Sequence, residues 1–361
     1  MNNTKQGSAC KKWIIGTALA LLALLVLYAA VTVCIDPLFH YHAPLDTLQY
    51  PLNDERYQND GILRHFEYDS IITGTSMCER FKASEAEELF GGKFVKVPLS
   101  GARYKEINSQ LERAYTYGKD IRLVVRGLDV NALIMDKDAI RDNYNPPEFL
   151  YNNNIFDDVS YLFNKTLFLK NLKVLEYTRQ GNLTTDFDSY AVMHDPATGS
   201  AQNVMGHYTV TERAETQQHL TESDKALISE NLRQNVTELI AAHPETEFYY
   251  FFCPYSIAYW DELDSLGTLN QHLEAVAFAA EELLKYPNLK LFNFCADFDT
   301  VTELNNYVDQ AHYVSSINSL LLHHMAEGKY LLTAENYQES IAETMRFYQE
   351  FDYASLHTAE G

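Results

Sequence analysis

An uncharged apolar segment near the amino terminus restricts this chain more than any other feature. Trp13 to Ile35 contains no acidic or basic residue and is rich in Leu, Ala and Val. A membrane-spanning helix needs about 20 apolar residues, whereas the apolar region of a cleaved signal peptide usually has about 7–15. We therefore expect a retained transmembrane helix at 13–35, with a signal peptide as the competing interpretation.

The charges on either side of this segment predict its orientation. Three lysines lie among the first twelve residues, and Asp36 follows the segment directly. Basic flanks stay on the cytoplasmic side of a membrane. We expect a cytoplasmic tail at 1–12, a membrane-proximal segment at 36–60, and an extracellular location for the rest of the chain.

The composition argues against several classes of function. The chain has 50 acidic and 28 basic residues, which gives a formal net charge of -22. Every acidic residue follows the apolar segment. A nucleic-acid partner is not expected, because phosphate binding needs clustered Lys and Arg. The five cysteines are irregularly spaced and predict no disulfide framework. A bridge between Cys253 and Cys295 stays open, since both end strand-like runs.

Strand-like runs alternate with helical segments along most of the remaining chain. The runs lie at 68–74, 94–99, 122–126, 247–253 and 289–294. Helical patterns lie at 84–90, 103–117, 221–243, 268–286, 313–327 and 335–350. This alternation predicts an α/β class protein with a doubly wound, mostly parallel sheet of five strands.

A long stretch at about 130–220 interrupts the alternation. It is rich in Asn, Tyr, Phe and Asp and has helical pieces near 157–179. Connections this long are usually lids or partner surfaces. We expect one α/β domain at 61–330 that carries this insertion, followed by a C-terminal helix and acidic tail at 331–361.

Candidate catalytic residues follow the predicted strands. Ser76 follows the first strand, Gly101 the second, and Asp309 with His312 comes after the fifth, where the pair is expected to open a helix. Carboxyl ends of parallel strands share the ligand-binding edge of such a sheet. A histidine held by a carboxylate can activate a serine hydroxyl. These residues predict a Ser76, His312 and Asp309 triad, although each motif alone is typical of an ordinary turn.

An attacked carbonyl also needs hydrogen-bond donors for its developing negative charge. The backbone N–H groups of Ser76 and Gly101 and the side-chain amide of Asn131 are the candidates for this oxyanion hole. Asp129 competes with Asn131 for the position after the third strand.

Three aromatic residues are candidates for substrate binding: Tyr255, Tyr259 and Trp260. They follow the fourth strand in a predicted loop, where their rings would stack on sugars, with ordinary packing as the alternative. His40 and His42 have no Cys pair or carboxylate at ligand spacing, so we expect no metal and no cofactor.

These motifs resemble those of the SGNH/GDSL hydrolase superfamily. Its Gly-Asp-Ser block corresponds to Gly74-Thr75-Ser76, its second-block glycine to Gly101, and its Asp-x-x-His block to Asp309 to His312. The sequence departs from the family at Thr75, where Asp is usual, and in the third block, which is present only as Gly127-Leu128-Asp129-Val130-Asn131.

The resemblance implies a function at the bacterial cell envelope. A membrane-anchored ectodomain of this kind is similar to the D-alanine-transfer protein of teichoic acid synthesis and to the alginate and cell-wall O-acetylation proteins. It implies an esterase or acyltransferase that acts on acyl esters of a surface glycopolymer, with a membrane partner as acyl donor for a transferase. The competing hypothesis is an inactive SGNH-like scaffold that binds a wall polymer or a membrane assembly partner.

Overall fold

The computed structural model describes residues 2–142, 146–152, 154–181, 186–192, 199–206 and 212–357. Within them the α-helices are α1 (Asn2–Ile35), α2 (Glu55–His65), α3 (Ala83–Phe90), α4 (Tyr104–Thr116), α5 (Val159–Leu162), α6 (Lys165–Gln180), α7 (Ala201–Gly206), α8 (Glu222–Leu232), α9 (Glu238–Ala242), α10 (Ile257–Ser265), α11 (Leu269–Leu283), α12 (Phe298–Thr302), α13 (Ser315–Glu327) and α14 (Tyr337–Glu350). The strands are β1 (Ser70–Thr73), β2 (Phe94–Lys96), β3 (Leu123–Leu128), β4 (Glu247–Phe252), β5 (Leu289–Asn293) and β6 (Leu331–Leu332). Parts of the predicted insertion and the end of the acidic tail lie outside the described residues.

A single mostly parallel sheet confirms the predicted fold class. Its strand order is β2-β1-β3-β4-β5-β6, and neighbouring strands are parallel except for the last pair. The prediction of five strands was wrong by one. Strand β6 has only two residues and pairs antiparallel with β5, so it is too short to produce an alternating pattern.

The central strands are buried along almost their whole length, as is typical of a parallel sheet that helices cover on both faces. All six residues of β3 are buried, as are the five residues of β4 that follow Glu247. This burial agrees with the continuous apolar run from which β4 was predicted. The carboxyl ends of β1 and β3 are aligned, since Thr73 pairs with Arg126.

The helix predicted at 221–243 is interrupted by a turn of π-helix at Arg233–Thr237. Its start is as predicted, since Thr221 and Asp224 form a reciprocal capping box. The interruption leaves a backbone carbonyl, that of Asn235, to accept a hydrogen bond from the buried Arg126 guanidinium at 2.9 Å. A second nitrogen of the guanidinium donates to the Tyr104 carbonyl at 3.4 Å, so backbone carbonyls accept part of the hydrogen bonding of this buried charge.

The chain divides into two compact units. Unit 1 consists of Met1–Pro51, Arg56–Phe66 and Pro146–Thr185. Unit 2, which contains the sheet, consists of Leu52–Glu55, Glu67–Asn145 and Asp186–Gly361. Helices α5 and α6 of the predicted insertion therefore belong with α1 rather than with the sheet.

Unit 1 contains one helix that is long and apolar enough to cross a membrane. The apolar part of α1 runs from Cys10 to Ile35, has a mean hydropathy of 2.7 and is largely exposed. The unit has its own small core, formed by Leu38, Leu150, Tyr161 and Leu167. Asp36, at the end of α1, is fully buried and accepts hydrogen bonds from the backbone N–H groups of residues 40–42.

Candidate active site

Ser76 lies immediately after β1 at the carboxyl edge of the sheet. It begins a short 3-10 turn, Ser76–Cys78, that is capped by Thr75. Gly74 makes the turn possible, because its φ of +145° suits glycine and a Cβ there would lie 2.5 Å from Cys78 Sγ. The tight turn leaves the Ser76 side chain half-buried at the sheet edge.

Asp309 and His312 lie in a loop before α13, so the prediction that they open a helix was wrong. The loop is closed by an isolated bridge between Tyr307 and Tyr313, and α13 begins only at Ser315. Asp309 shapes this loop, because its Oδ1 accepts the backbone N–H groups of Ala311 and His312, each at 2.8 Å. An aspartate that bonds its own backbone two and three residues ahead favours a turn over a helix.

The three predicted catalytic side chains form one continuous hydrogen-bonded chain. Ser76 Oγ lies 2.8 Å from His312 Nε2, and His312 Nδ1 lies 2.8 Å from Asp309 Oδ2. With Nδ1 protonated towards the carboxylate, Nε2 is free to accept the serine proton. The His312 and Asp309 side chains keep 33% and 35% of their surface exposed, so a substrate can approach the chain from solvent.

The carboxylate and the imidazole shift each other's pKa in opposite directions. Burial raises the pKa of Asp309, but the His312 ring and the two backbone N–H groups outweigh it and hold that pKa at about 2. The hydrogen bond that His312 donates to Asp309 raises the pKa of His312 above its ordinary value, and burial opposes this only in part. Asp309 is therefore ionised at neutral pH and stabilises a proton on His312.

The two backbone donors predicted for the oxyanion hole are those of Ser76 and Gly101. Among the backbone-to-backbone hydrogen bonds of loops and turns in the described residues, neither N–H is a donor. Gly101 adopts the left-handed conformation, with φ +66°, and is exposed. Both N–H groups therefore stay candidates for the oxyanion hole.

The alternatives for the third donor differ in their exposure. Asn131 is exposed, on a 3-10 turn (Val130–Ala132) that follows β3. Asp129 is 7% exposed, and its carboxylate accepts the Tyr255 hydroxyl. Burial raises the pKa of Asp129. A substrate oxygen could reach Asn131 from solvent but not the carboxyl of Asp129.

Two buried charged residues next to the serine turn escaped the sequence analysis. Glu79 accepts a hydrogen bond from the Ser100 hydroxyl, and burial together with the Glu55 charge raises its pKa to about 7. Lys96 donates to the backbone carbonyls of Glu79 and Asp188, and burial lowers its pKa to about 7. The only sequence signal was a lysine within an otherwise apolar strand, which did not stand out as buried.

The predicted aromatic rim is contradicted by the burial of its members. Tyr259 and Trp260 lie in α10 rather than in a loop, and Trp260 is fully buried and stacks on Tyr348 with ring centroids 4.3 Å apart. Tyr255 is also buried and stacks on Tyr259. The cap formed by Ser256 starts the helix directly after β4 and turns these rings into the core. They present no open ring face for a sugar.

The cysteine pair that was left open is not bridged. Cys253 and Cys295 are both free, and the Cys295 thiol donates to the Cys253 carbonyl at 3.5 Å. Burial raises the pKa of Cys78, which argues against a thiolate nucleophile beside Ser76.

The two histidines considered as metal ligands have other partners. His40 Nε2 lies 3.0 Å from Asp158, and the His42 ring bonds backbone carbonyls. Within the described ranges no group of three or more His, Cys, Asp and Glu could hold a metal ion.

Comparison with known proteins assigns no family. No family model matches the chain, and no curated protein matches it. Among solved structures, it is similar to a provisionally named platelet activating factor from Streptococcus pneumonia, with 12% identity and a TM-score of 0.34. That likeness covers 76% of this chain and 91% of the other. A likeness at this level assigns no activity.

Proposed function

We propose that this protein is a membrane-anchored serine enzyme that hydrolyses or transfers acyl esters outside the cytoplasm. The observation that carries the proposal is the hydrogen-bonded chain from Ser76 through His312 to Asp309 at the carboxyl edge of a parallel sheet. A serine is a weak nucleophile until a base takes its proton, and this arrangement supplies both the base and the group that orients it.

The reaction follows from the positions of these atoms. Ser76 Oγ attacks the ester carbonyl while its proton moves to His312 Nε2, and Asp309 stabilises the imidazolium. The resulting oxyanion is bound by the N–H groups of Ser76 and Gly101, with the Asn131 amide as the third donor. His312 then returns its proton to the departing alcohol, which leaves an acyl group on Ser76. Water or a second alcohol attacks this acyl-enzyme with His312 again as base, and Ser76 regains its proton.

The substrate class rests on the motif resemblance and on the anchor. The resemblance to surface O-acylation proteins favours an acyl ester of a cell-surface glycopolymer, and a transferase would receive its acyl group from a membrane partner. The apolar helix supports attachment in a single pass, and the lysines before it support an extracytoplasmic catalytic unit.

Covalent labelling of the full-length chain in detergent micelles tests the proposal. A fluorophosphonate probe should modify Ser76, located by peptide mass spectrometry, because only an activated serine reacts rapidly. We expect Ser76→Ala to abolish this labelling and His312→Ala to slow it by at least about 10³-fold. Ser316→Ala, which removes an exposed serine of α13, is the matched control and should label as the wild type does.

The outcome that overturns the proposal is a folded wild-type protein with no adduct at Ser76. In that case the inactive scaffold, which binds a wall polymer or an assembly partner in the same cleft, would replace the enzyme as the favoured function.

A further inference from the structure

An apolar surface on unit 1 has no place in the proposed chemistry. It is formed by side chains on α6 and on the residues just before it, each between 42% and 83% exposed: Ile155, Phe156, Val159, Phe163, Phe168, Leu169, Leu172 and Leu175. We call these eight residues the apolar ridge. Eight exposed apolar side chains within one short stretch of a folded unit point to an interaction site.

Helix α6 has a separate face that already serves the core of unit 1. Leu167, Asn171 and Val174 are buried, three or four residues apart. Phe168, Leu172 and Leu175 follow the same spacing on a different side of the helix and remain exposed. The ridge is therefore additional to the face that folds the unit.

The ridge begins directly beside the apolar helix α1. The Tyr28 ring of α1 lies 5.9 Å from Phe163 and 5.8 Å from Phe168, centroid to centroid, and its hydroxyl donates to the Asn164 carbonyl at 3.2 Å. One helical turn further along α1, Thr32 Oγ1 accepts a hydrogen bond from the Asn171 amide at 3.2 Å. Two points of contact thus fix α6 against the outer third of α1.

The depth of these contacts follows from helix geometry. If the apolar part of α1 is centred in a bilayer, Tyr28 lies about 8 Å from the midplane, at about 1.5 Å of rise per residue. The hydrocarbon core extends about 15 Å to each side of the midplane. Residues that contact Tyr28 therefore lie at the level of the outer lipid leaflet.

The charge of α6 also suits a membrane surface. Four basic residues and one acidic residue lie in this helix, in a chain where acids outnumber bases: Lys165, Lys170, Lys173 and Arg179 against Glu176. A basic helix with an exposed apolar face is typical of helices that lie in the interface of an anionic bilayer.

We propose that the apolar ridge is immersed in the outer leaflet of the membrane that α1 crosses, with the basic residues of α6 at the anionic headgroups. This inference rests on the anchor assigned under the proposed function and adds a second, non-spanning membrane contact. The occupant of the ridge is lipid acyl chain, because the ridge begins on a helix that is itself surrounded by lipid.

Depth-dependent fluorescence quenching in the full-length chain tests this inference. In a background of Cys10→Ser and Cys34→Ser, the three remaining cysteines are buried. One exposed cysteine for bimane labelling is then placed by L172C on the ridge, by L22C in α1, or by E281C on the exposed face of α11. Each variant is reconstituted in phosphatidylcholine and phosphatidylglycerol vesicles with doxyl groups on the acyl chains. Position 172 should be quenched several-fold more than position 281, and position 22 at least as strongly as position 172.

Three other results would overturn this inference. Quenching at 22 but not at 172 would overturn the inference and leave the anchor and the proposed chemistry intact. Protection of position 172 by self-association, seen as energy transfer between labelled copies, would also overturn it by making a second copy the occupant. Absence of quenching at position 22 would remove the anchor itself, while serine labelling would still report on the active site independently.

Discussion

At the scale of single residues, Asp309 has two functions that a sequence motif cannot separate. One of its oxygens accepts two backbone N–H groups and fixes the loop, and the other orients the His312 ring. The same carboxylate therefore determines where the histidine is and which of its nitrogens carries the proton. Its loss should alter the chemistry even where the backbone keeps its path.

The pH dependence of turnover should report this coupling. The general base must be neutral, and the pKa of His312 is raised above its ordinary value of 6.5, so activity should fall as the pH drops through a value above 6.5. Asp309→Asn removes the charge that raises this pKa. In this variant we expect the acidic side of the pH–activity profile to move to lower pH and the maximal rate to fall by about 10⁴-fold. The measurement is kcat/KM for an ester substrate as a function of pH.

A second carboxylate, in the segment between β5 and α13, provides the control. Glu303 caps a turn before the loop, and Glu303→Gln should leave both the profile and the rate unchanged. An Asp309→Asn variant in which the acidic side of the profile stays in place would contradict the assignment of His312 as the base.

Ser76 could be predicted because it follows a strand closely, and strand ends are marked by turn residues. Asp309 and His312 could be predicted only from their motif, since α12 separates them from the end of β5 at Asn293. Glu79 and Lys96 could not be found in this way. Both are buried next to the serine turn, and burial of a charged side chain depends on tertiary neighbours such as Ser100 and Asp188. Nothing in the local periodicity distinguishes them from surface charges.

At the scale of elements, strands and helices were predicted correctly where the spacing of apolar residues and the turn residues at the ends indicate the same element. Some of the errors fall where an element is too short to show a pattern, or where one side chain changes the path of the backbone. Strand β6 has two residues, and the Asp309 loop is held by a side chain rather than by helix hydrogen bonds. The aromatic residues after β4 were placed in a loop because they follow a strand end, whereas the Ser256 cap begins α10 at Ile257.

Helix α10 provides a direct test of this correction. Trp260→Ala should destabilise the protein by about 3 kcal/mol, because it empties a fully buried site against Tyr348. The KM of the folded fraction for an ester of a sugar should not change. Denaturant unfolding and substrate titration of the same preparation measure both quantities.

Trp260→Phe keeps a ring in the site and should cost less than the alanine variant. A raised KM with unchanged stability in Trp260→Ala would instead restore the sugar-binding role that the sequence suggested.

At the scale of the whole molecule, unit 1 is assembled from three separate stretches of chain, and the end of α1 belongs to it. Thr32 is fully buried and accepts the Asn171 amide, and Ile35 is also buried. No local pattern could have predicted this, because the partners lie more than a hundred residues apart. The apolar segment was recognised only by its length and lack of charge.

Removal of the first 35 residues should therefore damage α6 while the sheet of unit 2 keeps its own core. Hydrogen exchange in detergent micelles should show faster exchange of α6 amides in the truncated chain than in the full-length chain, with β4 amides equally protected in both. A chain that lacks only residues 2–12 is the control and should match the full-length protein. Equal protection of α6 in all three would mean that α1 is dispensable for unit 1.

The burial of Thr32 and Ile35 also bears on how the proposed enzyme would meet a substrate. If α1 is the membrane anchor that we propose, its last turns belong to a folded unit, and a protease could not remove it without exposing the interior of that unit. The protein would then stay confined to two dimensions, and its encounters with a surface acceptor would depend on lateral diffusion and on the density of acceptors. Dilution of the surrounding medium would leave such encounters unchanged, which matches the substrate class proposed above.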